Sequence, residues 1–323
     1  MSLELFAVQN PHDDPALNEV AQEIRRLDPS GARWAAVVRH TYDMIYNGQE
    51  TGRYRWDQLM KTEKTHFGTL FEINAQREFG FDGGDATDYR IAGHQVDAKW
   101  SQKMGAWMLP PEVFGELALV ATGDDSRSTW SLGLVRVTEE ARRTGHNRDK
   151  KSQLNDVGRK RITWLWRDAE LRPNVLLQLP RATVDHIFDH RSGAERTNRL
   201  FVAAEGRICH RNAVATVSRQ LDAQRRVRYD KRSPRNGARS ALQPDGYIIL
   251  SGMYHRELAC DLDVPVPLQD EYVSVRVVPD RLGVRIGDGR WRRAQAGEKT
   301  VIKAPVVLDK KSTNNNEEDS ATE

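Results

Sequence analysis

Cysteine and paired histidines are scarce in this sequence. Only two cysteines, Cys209 and Cys260, occur in 323 residues, and the nine histidines are dispersed along the chain. A structural zinc site needs about four thiolate or imidazole ligands at short spacings, and a disulfide framework needs several cysteine pairs. The sequence therefore predicts neither a zinc site nor a fold that depends on disulfides.

Long hydrophobic runs are also absent. No apolar stretch approaches the roughly 18 residues that a membrane-spanning helix requires. The amino-terminal MSLELFAVQNPHDD lacks the basic and apolar regions of a secretory signal. The composition, with 38% hydrophobic and 29% charged residues, is typical of a globular protein in water. We therefore expect a cytoplasmic protein that has no membrane partner.

Positive charge is concentrated in one segment. The whole chain has a formal net charge of +3, whereas residues 196–240 contain twelve Lys or Arg residues and three acidic residues, a local net charge of +9. Neutralisation of phosphates with release of counterions dominates affinity for nucleic acids, so this segment predicts a polyanionic partner. The alternative is a solvated basic face that binds no ligand.

The first half of the chain shows helical patterns and then strand patterns. Apolar residues recur every three or four positions in three segments, which predicts helices, and they alternate in four later segments, which predicts strands. The predicted helices cover residues 15–28, 32–46 and 62–79, and the predicted strands cover residues 88–93, 94–101, 116–122 and 129–137. A charged stretch, residues 141–163, is predicted to be helical in part. This order is typical of a mixed α/β domain.

A second domain is predicted beyond residues 166–174, where periodicity lapses and a proline occurs, and a chain of this length suffices for two domains. Residues 197–205 and 212–224 predict two helices joined by a short Gly-containing segment, and the second helix is basic. That pattern favours a helix-turn-helix. The remaining segments predict a further helix, residues 182–190, and the strands of a small wing or sheet, residues 245–251, 272–278 and 283–291.

One stretch places charged residues inside a strand pattern. Residues 87–101 read TDYRIAGHQVDAKWS, and Asp88 and Asp97 lie on the two arms of a predicted hairpin joined through Gly93. Lys99 follows Asp97 by two positions, and strand side chains repeat every two residues, so we expect both side chains on one face. An unpaired buried charge is costly, which predicts that these groups compensate one another or share a ligand.

These residue types suit a divalent metal ion and phosphodiester hydrolysis. Mg²⁺ prefers one or two carboxylates together with substrate phosphate and waters. Asp88 and Asp97 would supply carboxylate oxygens, the carbonyl of Ala98 would add a ligand, and Glu72 of the preceding helix would hold a water. Lys99 would orient or deprotonate the attacking water and offset negative charge that develops on the phosphate.

The Asp-x-Lys pattern alone is not specific. It occurs again at Asp149 to Lys151 and at Asp309 to Lys311, in polar segments that lack a strand pattern. The alternative to a nuclease site in the hairpin is an exposed surface ion pair, which contributes little stability. The residues alone leave both interpretations open.

Longer blocks of the sequence resemble one family. Residues 57–75, 87–101 and 105–112 closely resemble the NaeI type restriction endonucleases. Further similarity lies in residues 206–220, 236–250 and 275–279, so the resemblance covers most of the chain and both predicted domains.

The resemblance implies an α/β fold with two domains. The first would be a restriction-endonuclease-like PD-(D/E)xK domain, with a central mixed sheet flanked by helices. The second would contain a winged helix like that of the catabolite activator protein. We assign residues 1–166 to the endonuclease domain, 167–174 to a linker and 175–308 to the winged-helix domain. Residues 309–323 lack apolar positions and are predicted to be a disordered tail.

The resemblance also implies an activity and its residues. The family's catalytic carboxylates fall on Glu72, Asp88 and Asp97, and its catalytic lysine falls on Lys99. Glu72, Asp88, Asp97 and the carbonyl of Ala98 are the predicted ligands of Mg²⁺. The family acts as a type II, IIE-like, site-specific deoxyribonuclease, a homodimer that binds two copies of double-stranded DNA. One copy is cut, the other activates cleavage, and a cognate DNA methyltransferase acts on the same site.

Five residues of the basic half are candidates for DNA contacts, since Arg can read guanine and Asn can read adenine. They are Arg207, Arg211, Asn212, Arg219 and Arg239. The rival functions are a DNA-binding regulator that has lost nuclease activity, and a repair or nicking endonuclease with another trigger. Ile45 stands where a ligase-like motif would need Lys, so neither ligase nor topoisomerase activity is predicted.

Overall fold

The structure is a computed structural model that describes residues 14–145, 148–230, 237–298 and 302–309. Apart from Asp309, the predicted disordered tail therefore lies outside the described residues. Within the described ranges, no helix combines the length and the apolar character that crossing a membrane would require.

The chain forms two compact units. Of the residues that the structure describes, those within 1–46 and 55–173 make the first, and those within 47–54 and 174–323 make the second. The first part of the predicted linker, residues 167–174, belongs to a strand that ends at Glu170. The division between the units, after residue 173, therefore lies near the end of the predicted linker. Assignment of the short segment 47–54 to the second unit has no counterpart in the sequence prediction.

The first unit combines helices with one sheet, as the periodicity predicts. Its sheet is mixed, because β2 pairs parallel with β3 while the other neighbours are antiparallel, and the strand order is β1-β2-β3-β4-β5. This agrees with the predicted central mixed sheet. The elements up to residue 170 are α1 (Pro15–Leu27), α2 (Ala32–Tyr46), α3 (Gly48–Thr51), α4 (Lys61–Phe79), β1 (Tyr89–Ile91), β2 (His94–Trp100), β3 (Leu117–Asp124), β4 (Thr129–Arg136), α5 (Asp156–Lys160) and β5 (Thr163–Glu170). Of these, α3 belongs to the second unit.

The larger core of the first unit lies between the helices and one face of the sheet, and a second cluster that includes Trp107, Ala118 and Val120 is separate from it. Trp34 of α2 packs near Phe71 of α4, and Phe71 in turn contacts Trp100 at the end of β2, with ring centroids 5.3 Å apart. Phe67 and Phe71 are fully buried. The apolar stripe of α4 therefore fixes this helix against the strand that carries Asp97 and Lys99.

Strand β5 was not predicted, and its residues explain why. The strand reads TWLWRDAE, and only Leu165 is buried within it, so the sequence shows no alternation with a buried face. Its pairing with β4 is irregular, and Asp168 has a left-handed backbone with φ of 49°. This edge strand forms because it pairs with β4, and its own sequence does not have the alternation that would predict it.

The second unit contains short helices and an antiparallel sheet with strand order β6-β8-β7, and β9 pairs with β8. Its elements from residue 174 onward are α6 (Val175–Gln178), α7 (Arg181–Phe188), α8 (Gly193–Ala203), β6 (Ile208–His210), α9 (Arg211–Ser218), α10 (Ala238–Ala241), β7 (Tyr247–Ser251), α11 (Arg256–Asp261), β8 (Glu271–Ile286) and β9 (Gly289–Arg293).

The segment between α8 and α9 differs from the predicted turn. Residues 206–211 include strand β6, which pairs with β8, so the two helices are not joined by a turn alone. Helix α9 also ends earlier than predicted, at Ser218, because Arg219 adopts a left-handed conformation with φ of 53°. A strand of three residues, of which only Cys209 is buried, is too short to produce a recognisable alternation in the sequence.

Helix α3 packs within the second unit, although its neighbours in sequence belong to the first. A Cβ atom on Gly48 would lie 2.1 Å from Thr216 Oγ1 of α9, so this close approach requires glycine. Tyr54 belongs to the second unit's core, and Asn174 donates a hydrogen bond to its carbonyl at 2.9 Å. Residues 47–54 thus complete that core.

Candidate active site

The β1–β2 hairpin brings the two predicted carboxylates together. Ala92 and Gly93 form its turn with φ angles of 50° and 82°, and Gly93 tolerates this conformation because it has no Cβ. Asp88 directly precedes β1, and its Oδ2 accepts a hydrogen bond of 2.8 Å from the backbone N of Ala98 in β2. The hairpin therefore positions Asp88 beside Asp97.

Lys99 lies at the centre of three carboxylates. Its Nζ is 2.6 Å from Asp97 Oδ2, 3.3 Å from Asp88 Oδ2 and 4.0 Å from Glu72 Oε1. Nζ also donates a hydrogen bond of 2.8 Å to the carbonyl of Ala98. The expectation that Asp97 and Lys99 share one face of the strand agrees with these distances.

Glu72 reaches the site from α4. It stands next to the buried Phe71, so the packing that buries one face of the helix directs the adjoining face toward the hairpin. The Tyr89 hydroxyl donates a hydrogen bond of 2.8 Å to the backbone carbonyl of Glu72. Because Tyr89 follows Asp88, this bond joins the helix to the same strand that positions the first carboxylate.

Burial changes the proton affinity of the site. Burial, with the charge of Asp88 adding to it, raises the pKa of Glu72 to about 7. For Asp97 burial outweighs the attraction of Lys99 and raises the pKa to about 6. Burial acts to lower the pKa of Lys99, but the charges of Asp97 and Asp88 outweigh it and raise that pKa. Lys99 is therefore a cation at neutral pH, while the two raised carboxyl groups bind protons readily.

The oxygen atoms of the site fit a hard divalent cation. Asp97 Oδ2 is buried, and although it is close to Lys99 it has no well-directed hydrogen-bond partner among the described residues. In that part of the chain no group of three or more His, Cys, Asp or Glu side chains forms a ready-made metal cage. This arrangement suits Mg²⁺, which takes one or two carboxylates and completes its coordination with water and substrate phosphate.

The predicted DNA contacts lie in the second unit in different environments. Three of the arginines are exposed, and the side chain of each donates a hydrogen bond. Arg207 donates to the Gln178 carbonyl at 3.3 Å, and Arg211 donates to Asp270 at 3.2 Å. Arg219 donates to the Glu50 carbonyl at 2.7 Å. Asn212 is half-buried in the first turn of α9. Arg239 is buried, so the structure does not bring it to the surface with the other arginines.

Comparison with known proteins identifies the family. The model of the family described as restriction endonuclease NaeI matches residues 18–302. The chain belongs to the NaeI family of restriction endonucleases. It is similar to the type II restriction enzyme NaeI of Lentzea aerocolonigenes, with 44% identity over 310 residues that cover 92% of this chain and 95% of the relative.

Membership in the NaeI family confirms the resemblance drawn from the sequence blocks, and the match includes residues of both units. The predicted enzyme class, a type II site-specific deoxyribonuclease, agrees with the family and with the relative. Sequence reasoning missed the Tyr89 hydroxyl and the Ala98 backbone N as groups that hold Glu72 and Asp88. The one feature of the sequence that could have pointed to Tyr89 is that it directly follows Asp88.

Proposed function

We propose that this chain is a magnesium-dependent type II site-specific deoxyribonuclease that hydrolyses phosphodiester bonds of double-stranded DNA. The observation that carries the proposal is the placement of Lys99 Nζ within 4.0 Å of the carboxylates of Glu72, Asp88 and Asp97. Membership in the NaeI family supports the same activity.

Each residue has a role that follows from its position. Asp88, Asp97, Glu72 and the Ala98 carbonyl would hold Mg²⁺, which when bound withdraws charge from a phosphoryl oxygen and acidifies water. Lys99, a cation, orients the attacking water and offsets the negative charge that grows on the phosphate. The water oxygen loses a proton to the surrounding solvent and bonds to phosphorus, and the bond from phosphorus to the 3′ oxygen breaks. The 3′ oxygen takes up a proton, so the products carry 5′-phosphate and 3′-hydroxyl ends.

The second unit is proposed to be a winged-helix domain that binds a second DNA copy and activates cleavage. The charge of +9 in residues 196–240 supports a DNA-binding face, and the exposed Arg207, Arg211 and Arg219 lie within it. Helices α8 and α9 beside an antiparallel sheet, with a long β8–β9 hairpin, support a helix-turn-helix with a wing. We also propose that the chain is a homodimer and that a cognate DNA methyltransferase acts on the same recognition site.

Digestion of a sequenced plasmid tests the activity. The purified chain should linearise the plasmid in Mg²⁺ at a fixed sequence, and Asp97→Ala should abolish cleavage while duplex binding persists. Asp149→Ala is the matched control, because Asp149 begins the other described Asp-x-Lys triplet and is exposed.

The products also separate the rival functions. Nicked circles in place of linear plasmid would favour a repair or nicking enzyme, and binding without any cleavage would favour a regulator. Cleavage retained by Asp97→Ala would remove Asp97 from the metal site. A methyltransferase gene beside this one whose product blocks cleavage would support a restriction-modification system.

A further inference from the structure

A cavity of about 480 Å³ in the second unit is lined by charges of both signs. Its charged residues are Arg211, Arg228, Arg239, Asp270 and Asp309. Arg211 pairs with Asp270 at 3.2 Å, and both side chains are about half exposed. The cavity is therefore accessible from solvent on the Arg211 side, while Arg239 forms its buried part.

Arg239 is the buried cation of this cavity. Its side chain is only 4% exposed, and its Nε donates a hydrogen bond of 2.8 Å to the carbonyl of Ile249. Nη1 lies 2.6 Å from Asp309 Oδ1. Nη2 is buried and has no hydrogen-bond partner among the described residues. A guanidinium group with one unused donor is incompletely satisfied, which normally carries a cost.

The anion next to Arg239 comes from the chain's own carboxy-terminal segment, residues 302–309. The backbone N of Ala304 donates to the Gln243 carbonyl at 2.9 Å, and His255 Nε2 lies 3.0 Å from the Leu308 carbonyl. Ala304 and Val307 are buried. These contacts deliver Asp309 to the cavity, yet its own side chain remains 35% exposed. Water and other anions can therefore reach the contact.

We propose that the Arg239 cavity is a binding site for a backbone phosphate of nucleic acid, and that Asp309 occupies it as an intramolecular substitute. Guanidinium binds carboxylate and phosphate through the same planar fork of donors. A phosphate that enters displaces Asp309 together with the segment, residues 302–309, that carries it, and engages the unused Nη2. Residues 302–309 then act as an autoinhibitory strap on the DNA-binding unit.

The phosphate competes successfully because a DNA backbone brings several phosphates at once. Arg211 and Arg228 line the same cavity, and contacts to neighbouring phosphates would release further counterions. Asp270 is the opposing acid, and its charge is already paired with Arg211. This inference rests on the proposed function, because it assumes that the second unit binds DNA.

Neutralising Asp309 tests the inference in the full chain. We expect Asp309→Asn to bind a fluorescein-labelled duplex about 5- to 10-fold more tightly than the unaltered chain, measured by anisotropy in EDTA at fixed salt. That factor corresponds to an unaltered chain in which Asp309 leaves the cavity free for about a tenth to a fifth of the time. Asp309→Glu keeps the carboxylate and should stay within about twofold of the unaltered chain.

Asp261→Asn is the matched control. Asp261 is exposed at the end of α11 and does not line the cavity, and its replacement changes the net charge by the same amount. Equal effects of Asp309→Asn and Asp261→Asn would overturn the inference, because a general electrostatic effect would then explain both. No tightening in Asp309→Asn would overturn it as well.

Hydrogen exchange on the unaltered chain provides a second measurement, which applies even if Asp309→Asn does not fold. Saturating duplex should accelerate exchange of the amides in residues 302–309 while it protects amides elsewhere in the second unit. Unchanged or slower exchange in that segment would overturn the strap. A chain that binds no duplex at all would overturn the proposed function and this inference together, whereas binding without release of the segment would overturn only the inference.

Discussion

Two regions of the molecule hold cations among carboxylates, and they differ in the charge that remains. At Lys99 three carboxylates surround one ammonium group, which leaves two negative charges when all are ionised. In the Arg239 cavity three guanidinium groups face two carboxylates, which leaves one positive charge. The sign of the remaining charge underlies both proposals: the first region would attract a divalent cation, and the second would attract a phosphate.

The carboxylates of the two regions also differ in burial and in the regularity of the backbone that carries them. The Asp97 side chain is 5% exposed and belongs to β2, a strand that is hydrogen-bonded to a neighbour on each side. Asp309 is a partly exposed residue at the end of a segment without regular secondary structure. A fixed carboxylate suits a site that must keep its geometry through a reaction, whereas an exposed one suits exchange with a ligand.

Removal of the central cation should have the largest effect. Lys99→Met should lower plasmid cleavage by more than about 100-fold, since it deletes the charge that we propose stabilises the transition state. Duplex binding by the second unit should persist. Lys151→Met, in the exposed Asp-x-Lys triplet, is the control. Cleavage within a few-fold of the unaltered chain would show that Lys99 is only the counterion of the carboxylates.

The second largest effect should be a dependence of stability on pH, caused by the buried carboxyl groups of the first region. The folded pKa values of Glu72 and Asp97, about 7 and about 6, lie above their ordinary values, so folding favours the protonated forms. Their contribution is fully present below about pH 4 and is lost as pH rises through 6 to 7. Without metal, the free energy of unfolding should fall by an amount on the order of 2 kcal/mol between pH 5 and 8.

Thermal melting checks this prediction. Mg²⁺ should raise the melting temperature more at pH 8 than at pH 5, because protons and metal compete for the same oxygens. Glu72→Gln removes one titrating group and should flatten the metal-free pH profile. An unchanged profile in that variant would mean that other groups cause the loss of stability.

Substitution of two exposed arginines of the basic segment, residues 196–240, should weaken DNA binding by the second unit moderately. Arg211→Ala with Arg219→Ala should reduce duplex affinity about 3- to 10-fold and lower the slope of log affinity against log salt by about one for each lost phosphate contact. Cleavage-site preference should not change if both arginines contact phosphates. A salt slope equal to that of the unaltered chain would place the DNA-binding face elsewhere.

The smallest effect should come from the bond that joins α4 to β1. Tyr89→Phe keeps the ring but removes the hydroxyl that donates to the Glu72 carbonyl, and a lost hydrogen bond of this kind contributes about 1 kcal/mol. We expect cleavage to fall about threefold. Tyr42→Phe removes a comparable buried bond, to the Gly123 carbonyl, and should lower stability with cleavage unchanged. Equal rates in both variants would deny Tyr89 a positioning role.

The sequence predicted the first region better than the second because short-range rules govern it. Strand alternation placed Asp97 and Lys99 on one face, and the turn at Gly93 returned the chain so that Asp88 met them. The hydrogen bond from Tyr89 to Glu72 depends on a helix and a strand that meet only in the fold. No local pattern contains that information.

In the second unit the same limit concealed which arginine is buried. Arg239 lies in a basic segment where every arginine looks alike, and its burial depends on Ile249 and Asp309, which are far away in sequence. Strand β6 was missed because its pairing partner, β8, begins about sixty residues later. The NaeI family resemblance gave the activity but not these contacts.

The assignment of residues 47–54 to the second unit has a consequence for dissecting the protein. A fragment that begins at residue 174 would lack α3 and Tyr54, and the surface of α9 that faces Gly48 would meet water instead. A fragment that ends at residue 173 would carry that stretch as an unsupported loop. Separate expression of the two halves therefore requires α3 to be transplanted, and a circular permutation or a fused copy of residues 47–54 would be the rational starting point.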